Sequence, residues 1–268
     1  MRRFITPLGA LLTIAAAASL SSCNTFERHD IAASVNGHEL TFEQLDQLTD
    51  GSTSASVQRD TITQWVQLAA ATDGPLDSNS ADALNAAAAG LGPGLLPEGD
   101  GPAKATYEQG VTVSDVVCLT AFQIETADDA DAIIEGITDA DSFAAAAAEF
   151  SMSDDLAQSG GLITDDSGTN CMPLGSLPLN EQFVAALVEA DPRVGDAVLI
   201  EFGDIDPKAR VITRLRAYDE LSTDDLVTVE HTAVFEAFQR IIAEAHVFVN
   251  TRLGRWDATT ASVVADEG

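Results

Sequence analysis

The chain has 268 residues, 46% of them apolar, which is enough for a packed core and sets aside wholesale disorder. Against 43 acidic residues stand only 13 basic ones, leaving a formal charge of −30. A surface of that sign repels phosphate backbones and anionic headgroups, so nucleic acid is excluded as a partner.

The chain opens with Arg2 and Arg3, followed by an apolar run from Leu8 to Leu20 that is too short for a comfortable permanent span. The run closes on Leu20-Ser21-Ser22-Cys23, which resembles the bacterial lipobox. That resemblance implies a lipoprotein signal peptide over residues 1–22, cleavage before Cys23 and a lipid anchor on its thiol. The alternative is an ordinary secretory peptide with an incidental cysteine. Either way the protein is expected outside the cytoplasm. Export gives Cys118 and Cys171 a default pairing as a disulfide, closing a loop of about 54 residues worth about 4 kcal/mol on chain-entropy reasoning. A metal site is not expected, because neither cysteine has a histidine at ligand spacing. No cofactor motif occurs either.

Residues 23–30 suit a tether. Ile31–Val35 then suits a strand, Asn36-Gly37 a tight turn and His38–Leu40 the return strand. Thr41 followed by Gln44 fits a capping box that opens a helix, and a second helix is expected over about 57–71. Residues 73–103, rich in proline and glycine, suggest one short helix and a loose connection, with a domain boundary near Gly110. From Val116 strands and helices alternate: a strand over 116–124, helices over 127–137, 141–150 and 179–190, and strands over 197–202 and 210–215. A long helix from about Thr223 to Ala245 follows, with Val234, Phe235, Phe238, Ile241, Ile242 and Ala245 as its buried face. A short strand at 246–249 and a polar tail over 258–268 end the chain.

Residues 118–215 resemble a parvulin-type peptidyl-prolyl isomerase domain. The resemblance rests on Phe143, Ala147 and Ser151, then Ala157-Gln158-Ser159-Gly160-Gly161, then Leu179 and Phe183 four apart, with Gly195 at a late turn. The flanks "AASVNGHELTFEQLD" and "VNTRLGRW" resemble SurA-type and PrsA-type extracytoplasmic chaperones, the second flank their actinobacterial members. The resemblance implies an α+β fold: a discontinuous helical chaperone module built from 31–110 and 223–257, with a parvulin-like domain inserted at 116–217. It also implies that Leu179 and Phe183 form a proline pocket.

Parvulins surround the rotating carbonyl with two histidines and a cysteine or aspartate. The resemblance places the first histidine at Ala121 and the second near Ala209 and Arg210, after an insertion holding Asp206-Pro207. The cysteine or aspartate position falls on Ser153 or Asp154, and no histidine lies between His38 and His231. Gln123 and Arg210 are the remaining polar candidates. The expectation is a membrane-anchored chaperone of unfolded or partly folded exported proteins, with isomerase activity lost or strongly reduced. Two rivals stand beside it: a working isomerase with atypical residues, and an envelope lipoprotein with one specific partner. The acidity reflects either a salty habitat or a preference for cationic clients.

Overall fold

A fully buried strand starts the first hairpin in the computed structural model, which describes residues 29–72, 76, 80–126, 129–165, 168–203 and 208–266. The expected signal segment, Cys23 and Asp206-Pro207 lie outside these residues. Strand β1 (Ile31–Val35) pairs antiparallel with β2 (His38–Thr41) across a turn in which Asn36 and Gly37 both take positive φ. Thr41 then caps α1 (Phe42–Leu48), and Gln44 completes the capping box by accepting the Thr41 N–H at 2.8 Å. Helix α2 (Ala55–Thr72) buries Ile62, Trp65, Val66 and Ala69, the helical spacing expected of an amphipathic stretch. Helix α3 (Ala81–Gly94) starts on the Ser80 cap and holds Pro93 in its last turn. The short α4 (Lys104–Tyr107) ends the first segment.

The central unit is α+β. It runs β3 (Val116–Ile124), α5 (Ala130–Glu135), α6 (Ala140–Phe150), α7 (Asp154–Gln158), β4 (Cys171–Pro173), α8 (Glu181–Ala190), β5 (Ala197–Phe202) and β6 (Ala209–Leu215). The strands form one antiparallel sheet in the order β4-β3-β6-β5. Each face carries its own core. Phe122, Ile124 and Ile212 pack with Phe143 and Ala147 of α6 on one side. Val117, Leu119, Ala121 and Leu215 pack with Phe183 and Leu187 of α8 on the other.

The expected long helix is broken. Helix α9 (Thr223–Val229) stops at Glu230, and α10 (His231–Glu244) starts on the same residue. Glu230 is buried because Tyr218 Oη donates to its carboxylate at 2.8 Å and the Ala103 N–H donates at 3.1 Å. Of the apolar face expected on this segment, only Ile242 is fully buried, and Phe235 is 60% exposed.

Strand β7 (Val247–Val249) returns to pair with β1, giving a β2-β1-β7 sheet that joins both ends of the chain. The expected polar tail is in part a hairpin, β8 (Arg255–Asp257) with β9 (Ser262–Val264), lying on α2. Ala261 and Val263 are buried there, Gln67 Nε2 donates to the Ala261 carbonyl at 2.8 Å, and the Val263 N–H donates to Thr63 Oγ1 at 2.9 Å. A tail whose apolar residues are only two or three apart looks polar in sequence because its partner face is 200 residues away.

Candidate functional site

The loop after α6 follows from a few side chains with local jobs. Ser151 ends α6, and its hydroxyl donates to the Ser153 carbonyl at 2.9 Å. Ser153 caps α7 by accepting the Leu156 N–H, so its hydroxyl serves the turn. Two glycines then bring the chain back against β3. Gly160 and Gly161 have φ of +65° and +80°, and a Cβ on Gly161 would sit 2.8 Å from Phe143 Cε1 and 3.1 Å from the Ala121 carbonyl oxygen. Only a glycine fits both the backbone and the space. The Gly161 carbonyl accepts the Ala121 N–H at 2.7 Å, Leu162 bridges Thr120, and the Met152 N–H donates to the Gln123 carbonyl. The edge of β3 is sealed by backbone.

The residues expected to carry chemistry are scattered by this geometry. Ala121 is 3% exposed inside the core under α8. Thr213, its partner on β6, spends its hydroxyl proton on the Thr120 carbonyl at 3.0 Å. Gln123 shares that face by strand alternation but is exposed. Arg210 pairs with Ile124, so it belongs to the opposite face, where its Nε meets Glu201 at 2.9 Å. Asp154 is exposed in the first turn of α7, a stabilising place for an acid. The sheet therefore separates Arg210 from Ala121, Thr213 and Gln123. Phe183 is 2% exposed and meets Phe202 edge-on at 5.5 Å between ring centres, while Leu179 is half-buried beside it. Phe183 packs in the core on this face of the sheet.

Cys118 and Cys171 face each other across β3 and β4 and form a disulfide, both sulfurs lying in a small core with Tyr107, Val116, Tyr218 and Val229. This core joins the central unit to α4 and α9, beyond the boundary expected near Gly110. Burial and the hydrogen bond to Glu230 push the Tyr218 phenol up to about 12. Arg216 closes the same junction by donating to Asp225, to Asn170 and to the Glu220 carbonyl. Among the described residues no group of three or more His, Cys, Asp and Glu is placed to hold a metal ion, and no helix is long and apolar enough to cross a membrane.

Two features were not expected from the sequence. One is the exposed apolar set on the central unit: Phe150, Met152 and Leu162, of which Met152 is 59% exposed. The sequence signal was the apolar residue on either side of Ser151, where a loop tip would ordinarily be polar. The other is the elbow at Glu230, whose signal was only an acid between Val229 and His231.

No family model matches the sequence, and no curated protein sequence does either. Among solved structures the chain is similar to foldase protein PrsA from Streptococcus pneumoniae, at 14% identity over 78% of this chain and 90% of that one, with a TM-score of 0.30. It is also similar to one of two structurally related SurA-like chaperones of Campylobacter jejuni, at 14% identity over 80% of this chain and 94% of that one, with a TM-score of 0.27.

Proposed function

We propose that the protein is an extracytoplasmic chaperone, held to the membrane by a lipid on Cys23, that binds unfolded or partly folded exported proteins without isomerising them. In this reading 31–110 and 223–257 form the chaperone module, and 116–217 is a parvulin-like unit kept for its surface. The observation that carries the reading is the fate of the catalytic position. Ala121 is a buried alanine, its neighbour Thr213 has committed its proton, and Phe183 is buried edge-on against Phe202. Twisting an X–Pro amide has a barrier of about 20 kcal/mol, and lowering it requires groups that favour the twisted state over the planar one. Here such groups are dispersed over two faces and a loop.

Binding asks for less: exposed apolar side chains on a surface too charged to self-associate. Phe150, Met152, Leu162 and Phe235 supply the first, and the charge of −30 supplies the second. The test is suppression of aggregation of two unrelated, chemically denatured clients diluted into buffer. Substoichiometric to equimolar protein is expected to suppress light scattering from both. No effect on either client contradicts the reading and favours a lipoprotein with one dedicated partner.

A further inference from the structure

A cavity of about 350 Å³ opens where the α9–α10 elbow meets the start of β3, away from the surface around Ala121. Its inner wall is apolar, because Tyr107, Val116 and Val229 belong to the small core around the disulfide. Its carboxylates are Asp115, Glu230 and Glu236, no lysine or arginine lines it, and the one imidazole in the lining, His231, has its ring nitrogens against the Thr228 carbonyl and the Thr232 hydroxyl. The three acids differ in what they are free to do. Glu230 is buried and accepts from Tyr218 Oη and the Ala103 N–H, so it is part of the elbow. Asp115 and Glu236 are exposed, and neither enters an ion pair among the described residues.

That combination selects a ligand class. An anion meets like charge. A wholly apolar group would cover carboxylates and leave them without partners, which is costly. A long side chain with an apolar stem and a cationic head satisfies both parts of the lining. The positive end of α10 does not reverse the preference, since Glu230 sits at its N-cap and Glu236 in its second turn.

We propose that this cavity receives the arginine or lysine side chain of an extended client segment, the stem along Tyr107, Val116 and Val229 and the cation between Asp115 and Glu236. The proposal rests on the chaperone reading above and names the client chemistry that reading leaves open.

The test is fluorescence anisotropy with a labelled, unstructured peptide of alternating leucine and arginine, beside the same peptide with neutral citrulline for arginine, at physiological salt. The arginine peptide is expected to bind at least five-fold tighter. Asp115→Asn with Glu236→Gln is expected to erase that preference. Glu149→Gln with Glu189→Gln removes the same charge from the ends of α6 and α8, whose residues do not line the cavity, and is expected to keep it. Thermal melts establish that both double variants fold.

Equal binding of the two peptides, no binding of either, or equal loss of preference in both double variants overturns the proposal. Aggregation suppression by the unmodified protein, run in parallel, separates the two readings. If suppression persists without arginine preference, the cavity assignment alone falls; if both are absent, the chaperone reading falls with it.

Discussion

Gly161 shows how packing and backbone geometry alone can fix the identity of a loop residue. Its place is fixed by the 2.8 Å and 3.1 Å approaches a Cβ would make to Phe143 and the Ala121 carbonyl, and by a φ of +80°. Gly161→Ala is therefore expected to lose about 2–4 kcal/mol of stability in urea denaturation, through strain and displaced packing. Glu220 gives a second test at this scale. The paired Arg214 guanidinium, at 2.6 Å and 2.7 Å, holds the Glu220 carboxyl below its ordinary value of 4.5. A depressed folded-state value means the stabilisation is complete above about pH 4.5 and is lost as the pH falls through the folded value. The stability difference between the parent and Glu220→Gln is thus expected to be largest near neutrality and to shrink below pH 4.5, in denaturation curves taken from pH 7 to 3. The loop glycines and the Thr41–Gln44 cap were legible because their causes are local. The sites of Arg210 and Thr213 were not, because a strand's two faces are assigned by register, and a one-residue shift exchanges them.

Among the elements, strands were the most legible. Val116–Ile124 and Ala197–Phe202 follow the expected bounds because each is a run of apolar and β-branched residues with a clear end. The failures were elements whose shape depends on distant partners. A helix through Glu230 satisfies local propensity, yet Tyr218 and Ala103 draw its side chain inward and the helix breaks there. Strand β9 falls in the expected tail because it contributes only a few apolar residues, whose cover is the distant α2. Deleting residues 258–268 removes buried Ala261 and Val263 and two hydrogen bonds to α2. The expected cost is about 2–4 kcal/mol, read as a lower denaturation midpoint. An unchanged midpoint would mean that the hairpin contributes nothing to the core.

At the scale of the whole molecule, segments 31–91 and 238–263 build one core, with β1, α2, α10, β7 and β9 all contributing, while the central unit keeps a separate core on each face of its sheet. In the proposed arrangement, a discontinuous module holds the central unit at two points. The small core that packs Tyr107 and Val229 against β3, and the hydrogen bond from Arg216 to Asp225, hold it further. The central claim is that this inserted unit keeps a fold without the reaction that its signature residues suggest. The most direct test is the rate of cis-to-trans conversion in an Ala-Xaa-Pro peptide set, followed by protease coupling at micromolar protein. The expected result is a rate indistinguishable from the uncatalysed one across the set. Turnover near that of an active parvulin would contradict the claim, and would require Gln123, Ser153, Asp154 or Arg210 to meet the substrate in a geometry that this structure does not adopt.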